Sequence, residues 1–168
     1  MNNMRNTEII PMKEQLINFL ISLEYKFGVM EDTEERTVIQ SGLSLEIGDT
    51  DGYFVIHHKI SLVEVLAYSP LNIPENKRLE VSKFMDIMDY HRYLGNLQLN
   101  HERGQVRSKT YFLYTNELVP SHIINTNYFE AFRNLENNIP SIMSIVYAGK
   151  DAETAANEYF GKVNPKNN

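Results

Sequence analysis

Histidines are the residues of this sequence best suited by type to metal binding or proton transfer. They are His57, His58, His91, His101 and His122. His57 and His58 are adjacent on a predicted strand, so their side chains point to opposite faces and cannot readily chelate one metal ion together. No His-Glu-x-x-His pattern places two ligands on one helix face. The spacing therefore predicts no metal site.

Catalytic and cofactor motifs are absent from the sequence. It has no cysteine, no Gly-x-Ser-x-Gly elbow, no phosphate-binding loop and no Gly-x-Gly-x-x-Gly after a strand. The densest acidic cluster, Glu31 to Glu35, lies between a predicted helix and a predicted strand, which favours a solvated loop. It also lacks the ligand spacing and glycine turn of an EF-hand. These features predict a protein that is not an enzyme and holds no cofactor.

One predicted strand combines basic and aromatic residues. Alternation places one set on one face, namely Arg107, Lys109, Tyr111 and Leu113. The other face receives Val106, Thr110, Phe112 and Tyr114. Such interleaving resembles a nucleic-acid stacking platform. We favour a second interpretation, a sheet with one face on helices and an amphipathic outer face that could hold a peptide or a second subunit.

Hydrophobic periodicity predicts the first elements that position these residues. Apolar residues recur at helical spacing over 12–27. The period then changes to two, which predicts strands over 37–47, 53–58 and 60–68. A dense turn signal, Gly48 to Gly52, separates the first two strands. Their short connections favour an antiparallel meander.

The second half of the chain returns to helical spacing twice. Its predicted elements are a helix that begins near Pro74 and runs to residue 94, closed by Gly95, a hairpin of strands 96–100 and 105–115, a helical region over 124–146 and a final helix over 151–160. Pro140 should kink or divide the long helical region. Asp151 is placed to cap the final helix.

These elements predict an α+β fold with a twisted antiparallel sheet of about five strands, in the order α-β-β-β-α-β-β-α(α). The length of 168 residues fits one domain over 11–162, with a flexible N-terminus over 1–10 and a frayed tail over 163–168.

Charge and hydropathy limit the classes of partner that the protein is expected to bind. The net charge of −6 disfavours nucleic-acid binding as the main role. The first eight residues lack the apolar core of a signal peptide, and the apolar runs are too short to span a bilayer. These patterns predict a cytoplasmic protein with no membrane contact.

Three stretches carry a resemblance to a known family. They are SPLNIPENKRLEV at 69–81, LGNLQL at 94–99 with GQVRSKT at 104–110, and SIVYAGKDAETA at 144–155. In this order they resemble the YbjN-type family, bacterial proteins described as sensory-transduction regulators, over about residues 15–159. The resemblance implies a fold similar to the type III secretion chaperones, which are often dimers that hold extended client segments. It implies no catalytic residue.

The sequence thus predicts a non-catalytic protein-binding or regulatory module that is chaperone-like. The alternative is a small-ligand-binding protein or an enzyme whose site is assembled only in three dimensions. The expected partner is a protein client or a second copy of the chain. The competing hypothesis is a monomer whose C-terminal helical region covers the same surface. The predicted surface comprises Tyr53, Val55, Arg107, Lys109, Tyr111 and Leu113.

Overall fold

The computed structural model describes residues 10–163, which form helices, strands and two 3₁₀ turns. The helices are α1 (Met12–Ser22), α2 (Arg78–Tyr90), α3 (Ser121–Ala148) and α4 (Ala152–Val163). The strands are β1 (Gly28–Asp32), β2 (Arg36–Leu45), β3 (Gly48–His57), β4 (Leu62–Asn72), β5 (Asn96–Leu99) and β6 (Gln105–Leu113). The predictions for the two termini lie outside the described residues, apart from Ile10 and Val163.

The strands form one antiparallel sheet in the order β1-β2-β3-β4-β6-β5. This confirms the α+β class and the antiparallel sheet, with six strands rather than the five expected. The additional strand is β1, a short edge strand with a bulge between Val29 and Glu31. Its glycine and its two acidic residues have a low propensity for strands. The hydrogen bonds to β2 must therefore provide the stabilisation of the strand that the local sequence lacks.

The first helix is shorter than its periodicity predicts. It ends at Ser22 rather than at residue 27, because Glu24 adopts a left-handed φ of 57° and the Tyr25 N–H returns to the Leu20 carbonyl. The chain reversal lets the Tyr25 ring pack against Tyr128, with ring centroids 6.2 Å apart. Tertiary packing of an aromatic residue therefore overrides the apparent helical spacing.

The predicted turn at Gly48 to Gly52 is wrong. Both glycines lie within β3, and the hairpin turn consists of Glu46 and Ile47. Gly48 takes a φ of +112°, which a side chain rarely adopts, so it serves the exit of the turn. Gly52 has a different role, because the ring of Phe132 occupies the space where its Cβ would be.

The second helix ends at Tyr90 instead of residue 94, and Gly95 precedes β5 rather than capping α2. Gly95 has a φ of +75°, and a Cβ there would meet the Lys109 carbonyl and the Thr110 side chain. The hairpin of β5 and β6 is confirmed close to its predicted bounds.

The long helix α3 runs unbroken through Pro140, contrary to the prediction that it could be divided there. The residues on both sides of the proline, Ile139 and Ile142, are fully buried, and their packing outweighs the hydrogen bond that proline cannot make. Asp151 caps α4 as predicted, because its carboxylate accepts the Thr154 N–H at 2.7 Å.

The helices pack on one face of the sheet, with α3 crossing β4 and β6. Tyr128 of α3 stacks on Phe54 with ring centroids 5.2 Å apart, and Thr110 donates to the Asn127 carbonyl at 2.8 Å. The core is therefore a single layer between helices and sheet. None of the helices within residues 10–163 has the length and apolar character needed to cross a membrane.

Candidate functional site

The residues predicted for a partner surface all lie on the sheet face opposite the helices. We call this the open face and define it by the outward residues of β2, β3, β4 and β6, which are Val38, Gln40, Tyr53, Val55, His57, Leu62, Glu64, Leu66, Tyr68, Arg107, Lys109, Tyr111 and Leu113. The alternation predicted for β6 is confirmed by its burial pattern. The predicted residues belong to β3 and β6, which are separated by β4.

Strand β4 supplies the residues that the sequence analysis did not assign to this surface. Leu66 pairs with both Tyr53 and Lys109, and Glu64 pairs with both Val55 and Tyr111. The alternation of Leu62, Glu64, Leu66 and Tyr68 was a usable signal for an outward set. The missing information was the strand order, which depends on pairing across distant parts of the chain.

A charged cluster occupies the middle of the open face. Glu64 contacts His57 through Oε2 and Nε2 at 3.0 Å, and Lys109 Nζ approaches Glu64 Oε1 at 3.4 Å. Burial by itself raises the pKa of Glu64, but the hydrogen bond from His57 and the charge of Lys109 outweigh it, so the net pKa is lowered. The carboxylate is thus held ionised between two basic side chains.

Arg107 is held by its neighbours along one row of the open face. Its Nε donates to Gln98 Oε1 at 2.7 Å, and Nη1 donates to the Tyr68 hydroxyl at 2.9 Å. Tyr68 in turn meets Tyr53 edge to face, with ring centroids 5.6 Å apart. Burial, more than the nearby charge of Asp51, raises the pKa of Tyr53. These contacts fix four side chains before any partner arrives.

Apolar side chains flank this polar cluster. Val55 and Leu66 are 8% and 7% exposed although neither belongs to the core under the helices. Tyr111 and Leu113 are 58% and 70% exposed at the β6 end of the same face. A groove of about 540 Å³ on the face is lined only by strand residues. Within residues 10–163, the open face therefore has no helical cover.

The basic residues of the predicted stacking platform are already paired. Lys109 is engaged by Glu64, and Arg107 uses two of its guanidinium nitrogens on Gln98 and Tyr68. Phosphate binding needs cationic groups that can replace counterions. Glu64 therefore offsets the charge of Lys109 beside Tyr111, whereas Arg107 keeps its charge because Gln98 and the Tyr68 hydroxyl are neutral.

The acidic segment from Glu31 to Glu35 is a solvated loop only in part, because Thr33 to Glu35 form an exposed turn whereas the first two residues lie in a strand. Glu31 and Asp32 belong to β1, where Glu31 accepts from Arg36 and Asp32 accepts from Lys13 and Thr37. Hydrogen bonds from Arg36 lower the pKa of Glu31. The segment therefore holds the first hairpin together.

The adjacent histidines have separate partners on the two sides of the sheet. His57 contacts Glu64 on the open face, whereas His58 Nε2 lies 2.9 Å from the hydroxyl of Thr37, which is fully buried. Among residues 10–163, no group of three or more histidine and acidic side chains is arranged to hold a metal ion.

A second groove, of about 700 Å³, runs between α2 and the β5–β6 hairpin. We call it the edge groove, because it follows the outer edge of β5. Ser82 Oγ lies 2.9 Å from His101 Nε2 within it. In the described part of the chain no carboxylate accepts from the other nitrogen of His101, so the pair lacks the orienting group of a hydrolytic triad.

Asp89 of α2 binds a backbone group on the outer edge of β5. Its carboxylate accepts the Leu97 N–H at 2.9 Å and Arg92 Nε at 3.0 Å. Burial raises the pKa of Asp89, and these two hydrogen bonds offset only part of that increase. A side chain of α2 thus takes the place of a neighbouring strand at this one position.

The fold and both grooves define a two-layer α+β protein with an uncovered sheet face. Comparison with models of known protein families and with curated proteins gave no match to this chain.

Proposed function

We propose that this chain is a non-catalytic protein-binding module of the cytoplasm, and that a second copy of the chain covers its open face. The observation that supports this is the apolar end of the face, where Tyr111 and Leu113 are 58% and 70% exposed and Leu113 pairs with Leu62 of β4. Apolar side chains grouped on a rigid strand surface are typical of association sites.

The charges of the open face favour a second copy over a strongly charged partner. The face carries Glu64 together with Arg107 and Lys109, and Glu31 and Arg36 line the same groove. In a twofold dimer the same surface meets itself, so it needs both signs of charge and an apolar part. This composition fits that requirement.

The resemblance to the YbjN-type family and, through it, to secretion chaperones supports the same proposal, since those chaperones are often dimers that hold extended segments of other proteins. The order of helices and strands, with four strands before α2 where three were expected, is compatible with such a fold. In this proposal the dimer is the binding unit and its activity is recognition, with no bond made or broken.

Sedimentation equilibrium across a wide micromolar range tests the dimer. We expect a mass that rises from 19.5 kDa toward twice that value with concentration. Leu113→Asp should weaken association by at least about tenfold, because an unpaired carboxylate would be buried at the interface. Leu118→Asp is the matched control, since Leu118 is 68% exposed but lies outside the sheet.

A mass that stays at 19.5 kDa throughout would overturn the proposed dimer. Equal weakening by both leucine variants would place the interface elsewhere. Circular dichroism of each variant at low concentration provides the folding control, because an exposed leucine should be replaceable without loss of the monomer fold.

A further inference from the structure

The outer edge of β5 has backbone groups that nothing in the described chain uses. β5 is the last strand of the sheet and pairs with β6 alone. The Asn100 N–H donates to the Gln105 carbonyl, so Asn100, and by the antiparallel alternation Gln98, direct their backbone groups toward β6. Leu97 and Leu99 therefore direct theirs away from the sheet.

Only one of these outward groups is taken. The Leu97 N–H is bound by the Asp89 carboxylate. Within residues 10–163 the Leu97 carbonyl and both backbone groups of Leu99 have no hydrogen-bond partner. An unpaired strand edge of this kind is a template for pairing with another extended chain.

The edge groove gives such a chain a bounded place to lie. Its volume of about 700 Å³ is in the range of specific binding pockets. One wall is α2, through Ser82, Met85 and Asp86, and the other includes Gln98 of β5 and Arg107 of β6. Leu99 itself lines the groove, with Leu97, Gln98 and Asn100.

The hairpin turn beside the groove is fixed in advance. Asn100 Oδ1 accepts the N–H groups of Glu102 and Arg103, and Arg78 Nη1 donates to the His101 carbonyl at 2.7 Å. A Cβ at Gly104 would collide with the backbone of Ile73, so the turn packs tightly against the end of β4. A preformed edge lowers the entropic cost of binding.

The charges in the edge groove point to an acidic occupant. Arg103 and Arg107 line it against the single unpaired carboxylate of Asp86, in a chain whose net charge is −6. Among the described residues the side chain of Arg103 and the Nη2 of Arg107 make no hydrogen bond. Free guanidinium groups bind carboxylates strongly and with defined geometry.

We propose that the edge of β5 binds an extended segment of a client protein by strand addition, and that Arg103 and Arg107 select a segment that carries carboxylates. This inference rests on the proposed protein-binding function; its groove adjoins the open face and shares Tyr68 and Arg107 with it, whereas Arg103 and Leu99 lie outside that face. The open face would take the second copy, and the edge groove would take the client.

The probe is a displayed library of eight-residue peptides, selected against the full chain. We expect the enriched peptides to carry Asp or Glu at alternate positions, since alternate residues of an added strand face the same wall. A fluorescein-labelled selected peptide should bind at least about tenfold more weakly to Arg103→Glu, because repulsion replaces an attraction. Lys26→Glu, the same change at an exposed residue near the opposite edge, should bind normally.

Two further measurements separate strand addition from simple charge attraction. Binding should slow hydrogen exchange of the Leu99 amide more than that of other β5 amides. N-methylation of alternate backbone nitrogens in the peptide keeps every side chain. It should abolish binding when the methylated nitrogens are those that pair with Leu99.

The proposal is overturned if the enriched peptides show no acidic preference, if no peptide is enriched, or if bound peptide leaves the Leu99 amide unchanged. It is also overturned if Arg103→Glu abolishes the dimer, because the edge would then belong to the second copy. These outcomes are independent of the dimer test, which uses the chain without peptide.

Discussion

The ring of Phe132 on α3 lies directly on the backbone of Gly52 in β3. A Cβ at Gly52 would be 3.2 Å from Cε2 of that ring and closer still to Cζ. Phe132 is 1% exposed and also packs against Tyr128. The absence of a side chain at one strand position therefore sets how closely the longest helix approaches the sheet.

We expect Gly52→Ala to lower the free energy of unfolding by about 2 kcal/mol, because the methyl group would displace a buried ring. Urea denaturation measures this. Gly161→Ala is the control, since nothing lies within 4 Å of a Cβ there and alanine favours a helix, so its stability should rise by about 0.5 kcal/mol. An unchanged stability of Gly52→Ala would show that α3 can shift away from β3.

A buried hydroxyl pair joins the sheet to the same helix. Ser41 Oγ and the Tyr128 hydroxyl are 3.0 Å apart, and burial raises the pKa of Tyr128 to about 12. Tyr128→Phe and Ser41→Ala should each cost about 1.5 kcal/mol, because each leaves the other hydroxyl buried without a partner.

The double variant Ser41→Ala with Tyr128→Phe separates the energy of the hydrogen bond between the two hydroxyls from the energy of side-chain packing. Removing both hydroxyls should cost less than the sum of the single losses by about 1 kcal/mol, as measured by a double-mutant cycle in urea. Additive losses would indicate that each hydroxyl acts independently of the other. Neither change alters the stacked ring, so the fold itself should be retained.

The regular elements could be predicted where local pattern and tertiary packing agree. The strong alternation of β6 and the cap of α4 at Asp151 were both identified correctly. The errors occur where packing opposes the local signal. Gly52 is a turn residue by type but lies in β3, paired on both sides and covered by the Phe132 ring, and Pro140 stays inside a helix between the buried Ile139 and Ile142.

The open face could be predicted in part. The sequence indicated which residues of β3 and β6 alternate outward, since the period of a strand is local. It did not indicate that β4 lies between them, so the pairing of Glu64 with His57 and Lys109 was not foreseen. The edge groove was also missed, because Ser82 and His101 come together only through the packing of α2 on β5.

The Asp89 carboxylate should be the most costly polar group to remove from the edge of β5. Asp89→Ala would leave the Leu97 N–H and the Nε of Arg92, whose side chain is 11% exposed, without their acceptor, while Arg92 Nη1 keeps its bond to Asn134. We expect a loss of about 3 kcal/mol in urea denaturation, as for a broken buried ion pair.

Asp86→Ala is the matched control for this change. Asp86 lies one turn earlier on α2, is exposed and accepts no hydrogen bond among the described residues, so its loss should alter stability by less than about 0.5 kcal/mol. Equal effects of the two substitutions would mean that the helix surface charge, and not the bond to β5, is what matters at Asp89.

The ionised state of Glu64 should make stability depend on pH in the acid range. The pKa of Glu64 in the folded chain is below its ordinary value of about 4.3, because His57 and Lys109 outweigh the effect of burial. The folded state therefore holds the proton less tightly than the unfolded state. This contribution is fully present above about pH 5 and is lost as the pH falls through the folded pKa.

Glu64→Gln removes the charge while keeping a carbonyl oxygen that can accept from His57. At pH 7 we expect the variant to be less stable by about 1 kcal/mol, a modest value because the side chain is partly exposed. The difference from the unsubstituted chain should shrink toward zero as the pH falls below about 4, since the native carboxyl then becomes neutral as well. Urea denaturation at a series of pH values measures the difference.

Glu117→Gln, at an exposed loop residue whose carboxylate makes no hydrogen bond among residues 10–163, should give a curve parallel to that of the unsubstituted chain. A difference at Glu64 that stays constant down to pH 3 would show that the substitution acts through packing instead of charge.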